Sequence, residues 1–245
     1  ADLARELAGR GYNLALAARR RELLEELADE LRTAYGVEVT VHPCDLGDAT
    51  ARQALIDELL GGPKAVVGVG NCAGFGTSGR FHELPRSREL QEVDVNVSAI
   101  VDLTHAFVGP MVERGAGAIL NIASVAAFQP LPRLATYSAT KAFVQTFSEA
   151  VHEELRGTGV SCTVVCPGPV ATPWAEIADA QAVMIPGTVM SSRDVAREAL
   201  DGFVKGRRTV LPGFARVMSP VGRFTPRTIL LPGLRLMQKA LGSAG

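Results

Sequence analysis

Short β-branched runs alternate along the chain with longer stretches whose apolar residues recur every three or four positions. The first pattern suits strands buried on both faces, and the second suits amphipathic helices. The pattern predicts strands over 12–18, 38–42, 65–70, 118–123, 161–165 and 208–211. It predicts helices over 21–35, 49–60, 87–112, 138–156 and 192–203, with a further helical turn over 2–9. This β-α order predicts one doubly wound parallel sheet covered on both faces, a three-layer α/β/α domain over 1–212. Residues 213–245 read as an extension that Pro220, Pro226 and Pro232 divide into short amphipathic pieces.

Composition narrows the classes. The 245 residues carry 25 Lys and Arg against 26 Asp and Glu, a net charge of −1 that offers nucleic acid no basic surface. No run of about eighteen apolar residues suggests a membrane span. Cys44, Cys72, Cys162 and Cys166 form no C-x-x-C pair and read as reduced packing residues of a cytoplasmic protein. The four histidines are scattered, so no metal site is expected. The charge is uneven, however: residues 202–245 hold eight basic residues and no acid, leaving −9 on 1–201.

Chemistry gathers at strand ends. Tyr137 and Lys141 lie four apart at a helix start, a spacing that puts phenol and ammonium on one face. A nearby cation favours the phenolate and makes proton exchange with an alcohol or carbonyl oxygen feasible. Ser124 follows the strand over 118–123, while Asn71-Cys72-Ala73-Gly74 and Pro167-Gly168-Pro169-Val170-Ala171-Thr172 follow two others. Carboxyl ends of parallel strands are where such sheets bind ligands.

Taken together, Asn71-Cys72-Ala73-Gly74, Asn96, Ser124, Tyr137 with Lys141, and Pro167-Gly168-x-Val170-x-Thr172 resemble the short-chain dehydrogenase/reductase family, in its single-domain branch. The resemblance runs to about Leu211 and implies a Rossmann fold. It implies Tyr137 as general acid or base and Lys141 as the group that lowers its pKa and holds the nicotinamide ribose. Ser124 would steady the reacting oxygen, and Asn96 would hold a water on the proton path. Thr172 would bond the carboxamide and Asp45 the adenine. Asn71, Ala73, Gly74, Pro167, Gly168 and Val170 complete the implied cofactor set. Cys72 stands where the family has a second Asn.

The implied fold also has a strand and glycine-rich turn ahead of the helical turn over 2–9. Its place is mid-sheet, between the strands over 12–18 and 65–70. The expectation is therefore that a further strand and glycine loop precede Ala1. Cofactor choice follows from charge: Ala18-Arg19-Arg20 offers no carboxylate to a ribose 2′-OH, and Arg19 can pair with a 2′-phosphate, so NADP(H) is expected over NAD(H).

The segment carrying Trp174, Ile177, Val183, Met184, Ile185 and Met190 is apolar, as are Phe128 and Leu131, and suits a hydrophobic ketone or its secondary alcohol. Arg133 is expected to face water. A non-catalytic NAD(P)-binding regulator is the alternative, against which the complete Asn96, Ser124, Tyr137 and Lys141 set speaks. An epimerase or dehydratase usually needs an added substrate domain. Apolar helix faces over 97–111 and 142–155 point to a homodimer or homotetramer. The basic, apolar extension would either rest on a membrane surface or pack over the substrate loop or a sister subunit.

Overall fold

A computed structural model describes residues 1–181, 184 and 187–240, with side chains given to 236. Val183 and Ile185, named above, lie outside the described residues.

The strands are β1 (Leu14–Ala18), β2 (Val39–Pro43), β3 (Gly68–Asn71), β4 (Gly117–Ile122), β5 (Val160–Val165), β6 (Val170–Ala171), β7 (Met190–Ser191) and β8 (Thr209–Val210). Every pairing is parallel. One sheet runs β3-β4-β5-β8, β1 pairs with β2, and β6 pairs with β7. Among the described residues no backbone pairing joins β1 to β3. The sheet is interrupted at the place where the sequence leads one to expect another strand.

Helices α3 (Ala49–Leu60), α5 (Ala99–Arg114) and α6 (Ala135–Glu154) cover one face. Their Ile56, Leu103, Phe107, Met111 and Leu155 pack on Ile119, Val160 and Cys162. On the other face lie α1 (Asp2–Ala8), α2 (Arg21–Tyr35) and α8 (Ser192–Val204). Ala8, Ala28 and Leu31 close over Val39 there, and Ala199 over Leu120 and Val165. Side chains of this size each contribute about 1.5–3 kcal/mol when buried, so these layers fix the strand ends that carry the site. The result is a single three-layer domain with Rossmann-like topology.

The edges of α2 and α3 fall where the sequence puts them. Gly36 ends α2 in the left-handed conformation (φ 68°), and Asp48 caps α3 by accepting from the Thr50 and Ala51 N–H groups. The helix expected over 87–112 is α4 (Arg86–Val93) and α5, joined through a π-helical turn, Asp94–Ser98. This stretch is long and apolar enough to cross a membrane by composition. Its apolar side, with Ile100, Leu103, Phe107 and Met111 buried, is instead committed to the core.

The extension corrects one expectation. Its prolines do not reduce it to short pieces: α9 (Ala215–Phe224) contains Pro220 and α10 (Arg227–Ala240) contains Pro232. The two helices part at Thr225-Pro226, where extended backbone at Thr225 (φ −71°, ψ 125°) precedes proline.

Candidate active site

The site is assembled where β3, β4 and β5 end and α6 begins. Ala123 continues the ladder, its N–H donating to the Val165 carbonyl at 2.8 Å. Ser124 then turns the chain into a 3-10 turn, Val125–Phe128, its Oγ accepting from the Ala126 N–H at 3.1 Å. The backbone N–H of Val125 donates to the Pro167 carbonyl at 2.9 Å, which ties the β4 end to the β5 end.

Tyr137 and Lys141 lie in the first two turns of α6, and both are buried. Ser124 lies close enough to Tyr137 for its hydroxyl to favour the phenolate. Lys141 Nζ donates to the Ile122 carbonyl at 2.9 Å and lies 5.8 Å from the centre of the Tyr137 ring. The structure thus brings Ser124, Tyr137 and Lys141 to one place.

Their charge states differ from expectation. Burial pushes the Tyr137 phenol up to about 12; the Glu92 carboxyl adds to the rise, and the Ser124 hydroxyl opposes it. Burial pulls the Lys141 ammonium down to about 8, against the pull of Cys166, Glu92 and Cys72. The lowering of the Tyr137 pKa by Lys141 is therefore not realised in the protein alone. Desolvation disfavours both charged forms and is the largest cause of each shift. At neutral pH the phenol keeps its proton, the state of an acid ready to donate.

Asn96 sits in the π-helical turn between α4 and α5. This is a wide turn of the kind that recurs at functional positions. Its amide brackets Phe75: Oδ1 accepts from the Phe75 N–H at 3.1 Å, and Nδ2 donates to the Phe75 carbonyl at 2.9 Å and to Thr140 Oγ1 at 3.1 Å. Its side chain is thereby spent on the segment after β3. Asn71 is likewise committed inside the sheet, where Nδ2 donates to Asn121 Oδ1 at 2.8 Å while Asn121 donates to Ser148 Oγ at 2.9 Å. Side chains of both asparagines hold strand ends and loops in place.

The remaining sequence-predicted residues line the rim. Cys72, Ala73 and Gly74 follow β3 with exposed backbone, and a Cβ on Gly74 would stand 3.0 Å from Asn96 Oδ1 and 3.3 Å from Lys141 Nζ. Arg19 is exposed after β1 and makes no ion pair among the described residues. Asp45 is exposed after β2, its Oδ1 accepting from the Gly47 N–H at 2.9 Å. Pro167 is buried and Gly168 half-buried, Val170 pairs with Met190 in β6-β7, and exposed Thr172 accepts from the Trp174 N–H at 3.4 Å.

Over Tyr137 lies an apolar cluster that the sequence only sketched. Ala126, Leu134, Ala178 and Ala180 are buried with it, and Leu131 and Trp174 pack against them. The Trp174 and Tyr137 rings lie 4.8 Å apart. Trp174 belongs to a one-turn helix, α7 (Trp174–Ile177). Sequence reasoning also missed Glu89, Glu92 and Thr77, whose carboxyls and hydroxyl meet beneath the site. The available signal was Glu89 and Glu92 three apart on one helix face next to Asn96.

A family model described as "short chain dehydrogenase" matches residues 1–182. Sulfoacetaldehyde reductase 2 of Chromohalobacter salexigens is 38% identical over 171 residues, 69% of this chain and 67% of that protein. The very-long-chain 3-oxoacyl-CoA reductase of Anas platyrhynchos is 35% identical over 180 residues, 71% of this chain but 57% of that protein. Among solved structures, a short-chain dehydrogenase from Sphingobium yanoikuyae in complex with NADPH superposes with a TM-score of 0.80 at 29% identity, covering 98% of this chain and 90% of that one. The chain belongs to the short-chain dehydrogenase family, and the relatives named here are reductases and a dehydrogenase.

One position tests how tightly this site is set. A Cβ on Gly76 would meet Tyr137 Cδ2 at 2.9 Å and Trp174 Cζ2 at 3.0 Å. Gly76→Ala is expected to displace the Tyr137 ring and lower kcat by roughly tenfold to a hundredfold, with the melting temperature little changed. Steady-state kinetics beside a thermal melt checks this, and unchanged kcat would show that the ring has room to spare.

Proposed function

We propose that the protein is an NADP(H)-dependent oxidoreductase that interconverts a hydrophobic ketone and its secondary alcohol. The observation that carries this reading is the buried Tyr137 beside Ser124, with buried Lys141 on the same helix face. When bound, the nicotinamide supplies or takes the hydride. Tyr137 gives its proton to the carbonyl oxygen in reduction, and Ser124 steadies that oxygen through its hydroxyl. Lys141 spends one of three donors on Ile122 and keeps two for ribose hydroxyls. Asn96 holds the segment at Phe75 that walls the site.

The described residues suit a dinucleotide at both ends. Gly74 leaves backbone open beside Lys141, and Ala73 and Thr172 are exposed at the ends of their strands. Pro167, Gly168 and Val170 form the β5 end, Asn71 anchors the β3 end, and Asp45 can accept from an adenine amine. Arg19, exposed and without a carboxylate partner among the described residues, supports a 2′-phosphate and hence NADP(H) over NAD(H). The NADPH in the Sphingobium structure agrees with that choice.

The relatives' names differ in substrate polarity, one a small sulfonated aldehyde and the other a long acyl chain. Leu131, Leu134, Trp174, Ala178 and Ala180 around Tyr137 favour an apolar substrate. A non-catalytic NAD(P)-binding role would leave the full Ser124, Tyr137 and Lys141 arrangement without use.

The outer surface supports two further readings. Leu90 and Val93 on α4, Val112 on α5 and Phe143 on α6 remain exposed, which suits a homodimer or homotetramer. On the extension Val217 (60%), Phe224 (77%), Ile229 (66%) and Leu236 (66%) are exposed. Beside them Arg223, Arg227 and Arg235 make no ion pair among the described residues. Apolar side chains interleaved with free cations fit weak contact with an anionic lipid surface. Four free cysteines accord with a cytoplasmic setting, which cell fractionation would check.

NADPH oxidation across a ketone panel, with Tyr137→Phe as control, is expected to show activity that the variant loses by about 10²- to 10⁴-fold. Equal background rates in both proteins would sink the enzyme reading in favour of the binding protein. Replacing Arg19 with Glu should raise the KM for NADPH at least about tenfold and leave NADH nearly untouched. A preference that stays put would remove Arg19 from the phosphate site. Pelleting with anionic vesicles should fall with salt and with the Phe224→Glu, Ile229→Glu pair, while sedimentation without lipid should give a dimer or tetramer. Salt-insensitive absence of pelleting would end the lipid reading, and a monomer at micromolar concentration the oligomer reading.

A further inference from the structure

Two carboxyls on α4 lie beneath the reacting pair in an arrangement that fixes their proton count. Glu92 is fully buried and Glu89 nearly so, at 7% exposure. The Thr77 hydroxyl stands between them, 2.5 Å from Glu89 Oε1 and 2.9 Å from Glu92 Oε2. Thr136, one residue before Tyr137, donates its hydroxyl to Glu89 Oε2. Glu92 Oε1 is buried with no hydrogen-bond partner.

A threonine hydroxyl has one proton to give. It satisfies one carboxylate, and the second contact then requires a proton on the other carboxyl, which donates to the Thr77 oxygen. Glu89 already accepts from Thr136, so it is the carboxylate. Glu92, with an oxygen left bare in the interior, is the acid.

We propose that Glu92, Thr77 and Glu89 share one proton between two carboxyls, tied through Thr136 to the first turn of α6, and that Glu92 is thereby a positioning residue for Tyr137 and Lys141. The proposal rests on the oxidoreductase reading for its kinetic consequences, and on hydrogen-bond geometry alone for the shared proton. Passage of the proton is balanced: Glu92 Oε2–H gives its proton to the Thr77 oxygen while the Thr77 proton moves to Glu89 Oε1. One O–H bond forms for each that breaks, and the acid and the carboxylate exchange places.

The titratable or charged groups facing Glu92 are few. Glu89 lies on its own helix, and Lys141 and Tyr137 face it from α6. The segment after β3 brings Thr77 and no charge, and Arg88 is turned away over the Phe75 ring, 4.0 Å from its centre. Burial, aided by Glu89, pushes the Glu92 carboxyl up to about 7, against hydrogen bonds from Thr77 and the pull of Lys141. Its ionisation raises the Tyr137 pKa and favours the charged form of Lys141. A charge that appears near neutrality inside the site therefore makes the phenol a weaker acid and the ammonium more persistent.

Two measurements on the intact protein test this. An infrared pH titration of the wild type should reveal a protonated carboxyl at neutral pH that disappears in Glu92→Gln and persists in Tyr137→Phe. Failure to see that band, or its survival in Glu92→Gln, overturns the shared proton whether or not any substrate is found. The second measurement is the pH profile of alcohol oxidation with NADP⁺. Because the negative charge is gone, Glu92→Gln should move the Tyr137-dependent rise to lower pH by roughly half a unit or more, and abolish the bend near neutrality. Glu89→Gln should keep that bend but shift it to lower pH, since Glu92 then ionises beside a neutral amide. Profiles that scale down uniformly without shifting would show a merely structural role and defeat the positioning claim. Absence of turnover in every protein would defeat the oxidoreductase reading and, with it, the positioning role, leaving the infrared result to judge the shared proton.

Discussion

An ammonium and a phenol held out of water at the end of β4 impose the constraint around which the rest of this protein is arranged. Each is costly to bury in its charged form, and the protein answers with geometry instead of with solvent. Lys141 finds the last carbonyl of β4, Tyr137 finds Ser124 just beyond it, and both hang from one helix. None of these partners can move without moving the strand, whose Asn121 is in turn fixed by Asn71 and Ser148. A buried polar network of this kind rigidifies the elements it joins.

The surrounding features follow from that need. The π-helical turn at Asp94–Ser98 delivers the Asn96 amide to both backbone groups of Phe75, so the segment after β3 is held against α6 by a matched donor and acceptor. Gly74 and Gly76 are short of side chains because Lys141 and Asn96, or Tyr137 and Trp174, occupy the space a Cβ would take. Glu92 adds a buried acid beneath the pair, and burial leaves its charge dependent on pH near neutrality.

The sequence made much of this legible, and the losses have physical causes. Helices α2 and α3 were readable to the residue because glycine, aspartate and a clear apolar period mark their ends. The Tyr137 and Lys141 pair was readable because helical spacing alone puts both on one face. The direction of their pKa shifts was not, since spacing reports proximity and says nothing of burial. The two-residue strands β6 and β7 are too short to show any alternation. Glu89 and Glu92 look like a solvated helix face until Thr77 and Thr136, distant in sequence, close over them. The prolines of the extension signalled breaks, yet α9 and α10 continue through Pro220 and Pro232.

The extension also packs against the site. Gly222 of α9 lies so close to the 3-10 turn after Ser124 that a Cβ there would stand 3.2 Å from Phe128 Cβ and 3.3 Å from its carbonyl oxygen. That turn leads into Leu131 and Leu134, which form the apolar wall beside Tyr137. The exposed face of α9 and the wall of the site are therefore two sides of one packed layer, with only the Phe128 segment between them. Close-packed layers transmit displacement because they hold no slack to absorb it. A surface that presses on Val217 and Phe224 would act on the substrate side of the site before it acted on the cofactor side. Under the proposed lipid contact, the same layer that meets the membrane shapes the pocket for an apolar substrate.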